Sequence, residues 1–361
     1  MSKALLPKLA FQDFIKKQYG KNILFPADQL VDRPRRVLKT VLSLDIALSG
    51  GIPEGTVVLF SGKAKAGKTT ISLHIAKNAI DEGRPVFYVN IEKRLTASLL
   101  KTINGLDPSK LQIVSSEEGV NLSAEQWCDI MERIIKDNKD AVVIVDSVAM
   151  LCTLAEQSES IGDNKDMAGV PKLLASFMRK NIPVVDNNNV TLIFISQYQT
   201  NRDPGSRKKH VEKGGMAIQY ACSTWINVDW VQLWERDKTI NAPLGHNVHL
   251  KIISSALGSP FLPCEVPLRF GKGVDVFMDL VIQCENLGVI EKSGAWYNFS
   301  DEKISGDKFQ GIDNICKFLK ENPDQFRSVE NIVRNMVLPD VNKVNERKTK
   351  ENKPEKVSEK A

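Results

Sequence analysis

Gly62-Lys63-Ala64-Lys65-Ala66-Gly67-Lys68-Thr69 follows the apolar run Val57-Val58-Leu59-Phe60 and precedes a helical pattern that begins near Thr70. A glycine-bounded loop between a strand and a helix, closed by Lys-Thr, reads as a P-loop. Its backbone N–H groups wrap phosphates, Lys68 reaches the terminal phosphates and the Thr69 hydroxyl ligates Mg²⁺. The plain alternative is a flexible glycine loop with no ligand. The strand–loop–helix context favours a bound nucleoside triphosphate.

Around this motif lie 361 residues, of which 42% are hydrophobic, enough for a packed core and about two domains. No long uncharged apolar run marks a membrane span, and the first residues, Met1-Ser2-Lys3-Ala4-Leu5-Leu6-Pro7, lack the apolar centre of a signal peptide. A cytoplasmic location with no membrane partner is therefore expected. The six cysteines are widely spaced with no C-x-x-C pair, which argues against zinc and for reduced core thiols. A net charge of +5 permits nucleic-acid binding without requiring it.

Phe11, Phe14, Ile15 and Tyr19 recur at helical spacing before Gly20 and an irregular stretch through Pro26 and Pro34, so residues 1–39 read as a helical arm. From Ser43 onward, apolar runs at 57–60, 86–89, 111–114, 141–145 and 191–195 alternate with amphipathic segments. That alternation predicts an α/β fold with a parallel sheet covered by helices. Ser123 and Gln126 form a capping-box pattern ahead of Trp127, Ile130, Met131 and Ile134, which fall on one helical face. The β-rich runs 225–233 and 248–253 are expected to extend the sheet in antiparallel fashion. Residues 40–275 then form the core, 276–338 a small C-terminal domain, and the Lys/Glu/Asn-rich residues 339–361 a disordered tail.

Mg²⁺ at a P-loop calls for a second acidic group at the end of a neighbouring buried strand. Asp146, after Ala141-Val142-Val143-Ile144-Val145, fits, although a strand-end aspartate capping a turn with Ser147 has the same signature. Hydrolysis needs a carboxylate to orient water, and Glu92 stands just past the 86–89 run, where strand C-termini face ligands in open α/β sheets. Gln197 follows the 191–195 run and could contact the γ-phosphate, or simply bond backbone at a strand end. The next loop carries Arg202, Arg207, Lys208, Lys209, His210 and Lys213 before Gly214-Gly215. It reads either as a sequence-tolerant contact to nucleic-acid phosphates or as a solvated charged loop.

Taken in order, these pieces resemble the RecA family of homologous-recombination ATPases. The likeness runs from about Phe14 to Pro323. It rests on Ser43-Leu44-Asp45-Ile46-Ala47-Leu48, the P-loop, Val145-Asp146-Ser147-Val148-Ala149, Ile161-Gly162-Asp163, Leu192-Ile193-Phe194-Ile195, and Gly294-Ala295-Trp296-Tyr297 with Glu302-Lys303-Ile304. The resemblance implies a RecA-like P-loop NTPase core with a mostly parallel central sheet, an N-terminal helical oligomerisation arm and a small α/β C-terminal domain.

It also implies roles for residues. Glu92 would be the catalytic glutamate, acting with Lys68 and the γ-phosphate-sensing Gln197, and Thr69 and Asp146 would hold Mg²⁺. ATP would lie against Gly62, Lys63, Ala64, Lys65, Ala66, Gly67, Lys68, Thr69 and Thr70, with Thr96 and Leu99 beside the adenine. DNA loops would correspond to residues 158–169 and 198–215, with Lys172 and Arg179 on the helix between them. Arg202, Arg207, Lys208 and Lys209 would meet phosphates, and Gly214 and Gly215 would contact the strand through backbone. Tyr220 and the N-terminal arm would meet the next subunit.

The implied function is an ATP-dependent recombinase that forms filaments on single-stranded DNA and pairs it with a homologous duplex. A nucleotide-gated scaffold or mediator with little hydrolysis is the rival reading. Three departures stand out. Ser254 and Ala256 occupy positions where family members usually carry lysines that reach the neighbour's ATP. Thr96 and Leu99 lack acidic and aromatic character, and the tail is mixed in charge with a basic bias instead of acidic.

Overall fold

A computed structural model describes residues 6–20, 24, 26–27, 36–159, 169–200, 210–212, 216–234 and 241–338. The expected disordered tail, 339–361, lies outside them. The chain divides into two units, Met1–Arg36 and Val37–Ala361. In the first, Leu6–Tyr19 is helical, and Phe14 meets Tyr19 edge to face at 6.3 Å.

In the second unit, β1 (Val37–Leu38) and β2 (Ile52–Pro53) form a short antiparallel pair. The apolar runs become β3 (Val57–Gly62), β4 (Val86–Asn90), β5 (Leu111–Val114), β6 (Val142–Asp146) and β7 (Thr191–Ile195). A hairpin of β8 (Tyr198–Thr200) and β9 (His210–Glu212) follows. Next come β10 (Thr224–Leu233), β11 (Gly245–Ser254), β12 (Pro263–Arg269) and β13 (Gly273–Val274). Nine of these strands build one sheet in the order β13-β12-β11-β10-β3-β7-β6-β4-β5.

The five predicted core strands pair in parallel, as continuous apolar runs covered on both faces should. The extension differs in one respect from the sequence expectation. β10 joins β3 in parallel, and antiparallel pairing begins only with β11. Two apolar layers sandwich the sheet. One is formed by residues such as Leu44, Ile71, Ile75, Tyr88 and Ile193, the other by Trp127, Met131, Leu174, Phe177 and Phe194.

The Ala124–Asp137 helix starts at the predicted capping box. The Ser123 N–H donates to Gln126 Oε1 at 2.8 Å, and the Gln126 N–H donates to Ser123 Oγ at 3.4 Å. Trp127, Met131 and Ile134 are buried beneath it.

Most of residues 276–338 pack around a third apolar cluster, which Leu42 and Ile46 also join. The Val276–Asn286 helix, β14 (Ile290–Ser293), β15 (Trp296–Phe299), β16 (Lys308–Gln310) and the Ile312–Glu321 and Pro323–Val337 helices enclose Leu280, Cys284, Phe299, Ile315, Leu319 and Val333. A buried ion pair ties this core to the Leu42–Ala47 helix, with Arg334 Nη1 3.0 Å from Asp45 Oδ2. Thr40 donates its N–H and hydroxyl to the other Asp45 oxygen, at 2.8 and 2.7 Å.

Candidate nucleotide-binding site

Parallel pairing brings the C-terminal ends of β3, β4, β6 and β7 to one edge of the sheet, and the predicted chemistry gathers there. Gly62 has φ +135°, and a Cβ on it would meet the Val228 carbonyl oxygen at 2.5 Å. Gly67, at φ +94°, is the N-cap of the Lys68–Asp81 helix, and a Cβ there would strike Leu268 at 2.6 Å. Both positions therefore require glycine. The turn aims the N-terminus of a 14-residue helix, with its free N–H groups, into the cleft.

Lys68 is buried and folds back over its own loop, donating to the carbonyls of Gly62 at 3.1 Å and Lys63 at 2.5 Å. Burial pushes its pKa down to about 8 against the opposing pull of Asp146 and Glu92. The Thr69 hydroxyl donates to Asp146 Oδ2 at 2.7 Å, and the Tyr88 hydroxyl donates to the same oxygen at 2.5 Å. Burial raises the Asp146 pKa, and these two hydrogen bonds counter it. Burial also raises the Tyr88 phenol, with the Asp146 charge adding to it, so Tyr88 stays a donor.

Glu92 is fixed from three sides. Its N–H donates to the Asp146 carbonyl at 3.0 Å. Gln197 Nε2 donates to both carboxylate oxygens, at 2.8 and 3.0 Å, and Arg94 Nη1 lies 2.7 Å from Oε1. Sequence reading did not single out Tyr88 or Arg94. A buried tyrosine in an otherwise apolar run was the available signal for the first, because its hydroxyl needs a partner.

These groups line a cleft of about 400 Å³ with Ala64–Thr70 on one side. Its far wall comes from β11 and the β12–β13 turn, which sequence reading also passed over. Phe270 presents a half-exposed ring there, and buried His246 lies 5.2 Å from it between ring centres. Leu99 and Thr102 line the cleft as well. Thr96 instead caps the Ala97–Thr102 helix, accepting the Leu99 N–H at 3.2 Å, and does not line the cleft.

Mg²⁺ prefers hard oxygen donors and keeps several waters and phosphate oxygens. One hydroxyl and one carboxylate 2.7 Å apart suit it. Among the described residues no cluster of three or more His, Cys, Asp or Glu forms an all-protein cage, and Mg²⁺ at phosphates needs none.

A family model of the RecA N-terminal domain matches residues 8–275, and one of the RecA C-terminal domain matches residues 279–338. The chain belongs to the RecA family. It is 28% identical over 323 residues to Protein RecA of Ruminococcus albus, covering 89% of this chain and 78% of that one. Protein RecA of Wigglesworthia glossinidia brevipalpis is 29% identical over 328 residues, covering 90% and 95%. Among solved structures, the RadB recombinase aligns with TM-score 0.47 at 17% identity, over 64% of this chain and 95% of that one.

Two positions with DNA roles implied by RecA resemblance, Lys172 and Arg179, are exposed on the Gly169–Asn187 helix, seven residues and so about two turns apart. Arg202, Arg207, Lys208, Lys209, Gly214 and Gly215 lie outside the described residues. On either side of the four cations in sequence, β8 pairs with β9, Tyr198 opposite Glu212. Tyr220 is 78% exposed on the short Met216–Ala221 helix. Ser254 ends β11 and Ala256 is exposed beyond it, so neither position where the resemblance leads one to expect a lysine holds a cation.

Proposed function

We propose that this chain binds ATP and Mg²⁺ in the cleft beside Gly62–Thr69, hydrolyses ATP in response to DNA, and forms filaments on single-stranded DNA that pair it with a homologous duplex. As a RecA-family protein the chain is an ATP-dependent recombinase. The observation that carries the finer reading is the double hydrogen bond from Gln197 to Glu92. It ties the water-orienting carboxylate to the residue that leads directly into β8 and the basic loop.

In this scheme Gly62 to Thr70 wrap the phosphates through backbone N–H groups, and Lys68 exchanges its loop carbonyls for terminal phosphate oxygens. Thr69 and Asp146 hold Mg²⁺, which supplies charge neutralisation at the phosphates when bound. Glu92 orients the attacking water, and Gln197 senses the γ-phosphate by dividing its amide between that group and Glu92. Phe270 offers a face on which the base stacks, and Thr96 orders the adjoining helix by capping it.

Lys172, Arg179, Arg202, Arg207, Lys208 and Lys209 meet DNA phosphates, while Gly214 and Gly215 let backbone approach the strand. Tyr220 and the arm pack on the next subunit. A cytoplasmic location accords with this role, and among the described residues no helix is long and apolar enough to cross a membrane. A scaffold with little turnover is less favoured, because Glu92 is already held from three sides.

DNA-stimulated phosphate release tests the scheme. Glu92→Gln should retain ATP-dependent binding to single strands while losing release by about a hundredfold or more. Full activity in that variant, or no stimulation by DNA in the wild type, would sink it.

A further inference from the structure

A second cavity is larger than the nucleotide cleft. A basin of about 550 Å³ lies behind it, between the Ala97–Thr102 helix, the β12–β13 turn and the Ile312–Glu321 helix of the C-terminal segment. Six cationic side chains line it against two carboxylates. Both carboxylates are already engaged, since Arg269 bonds Asp275 at 2.8 Å and lies 3.5 Å from Asp313. Lys77 is held by Asp81 at 2.7 Å, and Lys317 lies 3.9 Å from Glu321 one turn along its own helix.

Lys101, Lys272 and Lys320 remain, one from each of the three elements, and none has a carboxylate partner among the described residues. Three unpaired ammonium groups around one concavity repel one another, and an anion relieves that repulsion. The floor is apolar, formed by Ile103, Val274 and Phe277. His74 adds no charge, because burial pushes its pKa down to about 4.

We propose that this basin is a second anion site that takes a small oligophosphate-bearing molecule. A duplex presents a convex row of phosphates, whereas here the cations surround a recess of small-molecule size with an apolar base. The site is also built to communicate. Thr102, Arg269 and Gly271 line both the basin and the nucleotide cleft, and the turn between Arg269 and Lys272 carries Phe270. An occupant drawn to Lys272 therefore bears on the turn that forms the far wall of the nucleotide cleft.

Isothermal titration with inorganic tripolyphosphate, at fixed ionic strength and with the cleft saturated by a non-hydrolysable ATP analogue, tests this. Wild type should show one further site per chain. The Lys101→Glu, Lys272→Glu, Lys320→Glu triple variant should bind there at least about tenfold more weakly, and a control reversal at exposed Lys303 should change nothing. The single variants Lys272→Glu and Lys320→Glu, each checked for a native melting curve, keep the test readable if the triple does not fold. No binding in wild type, or equal binding in the triple, overturns the proposal. So does loss of duplex-DNA binding in the triple when wild type takes up no tripolyphosphate, which would assign the lysines to nucleic acid. A Lys68→Ala chain should give the same isotherm without the analogue, so failure of the ATP reading at the P-loop is separable from failure of this one.

Discussion

Asp146 receives two hydroxyl donors on a single oxygen, one from Thr69 and one from Tyr88. If Thr69 and Asp146 held Mg²⁺, the Thr69 bond would be given up or shared, and the Tyr88 bond would keep this buried carboxylate in place. Tyr88→Phe should therefore cost about 1–3 kcal/mol in urea unfolding and raise the Mg²⁺ concentration needed for ATP binding. A variant with wild-type stability and wild-type Mg²⁺ dependence would show that the bond contributes nothing. Lys68 and Thr69 were legible in the sequence from the glycine-bounded loop they close, and Glu92, Asp146 and Gln197 because each follows an apolar run, where topology alone brings them together. Tyr88 was not, since its bond to Asp146 exists only because β4 lies next to β6. Phe270 and His246 were hidden for a similar reason. They reach the cleft from strands about 200 residues along the chain from the P-loop, on a wall that no local pattern announces.

Among elements, the contact between the Leu42–Ala47 and Val276–Asn286 helices holds the second titratable feature. Asp279 is fully buried, and its Oδ2 accepts the Ser43 N–H at 3.1 Å. Burial, opposed by hydrogen bonding from Ser43 and aided by the nearby Asp45 charge, leaves its pKa raised to about 7. The folded chain thus binds one more proton than the unfolded chain between the ordinary aspartate pKa near 4 and about 7. Stability from this group is unaffected below that window, falls as pH rises through it, and is lowered by a constant amount above it. Asp279→Asn should match the wild type near pH 4 and exceed it by a few kcal/mol, in order of magnitude, at pH 8. Melting temperatures measured across that range decide the matter, and a difference independent of pH would refute the assignment. Nothing local in the Val276–Asn286 segment flags this residue, because an aspartate in the first turn of a helix ordinarily reads as a favourable charge. The capping box at Ser123, by contrast, was readable because it is complete within four residues.

For the whole molecule, the alternation of apolar runs sufficed to predict a mostly parallel sheet, since strands covered on both faces must be apolar throughout. It did not reveal that β10 continues the parallel set, because pairing direction at β3 depends on the path between residues 196 and 224 and not on the strand's own composition. On the proposed function, Ser254 and Ala256 would place no cation where the resemblance expects one from the next subunit, so more of the phosphate stabilisation would fall to Lys68 and Mg²⁺ within one chain.

β3 is the fifth of nine strands, with β7 on one side and β10 on the other. Opening the sheet from either margin must therefore separate several ladders before it reaches the strand that carries the loop. In native-state hydrogen–deuterium exchange, amides of β3 and β7 should be protected up to the global unfolding free energy, while those of β5 and β13 exchange through smaller local openings. Equal protection at the margins and the centre would contradict this. The strand beneath the phosphate loop thus keeps its register through the fluctuations of its surroundings, and the working parts of the protein can loosen around it without the loop losing its shape.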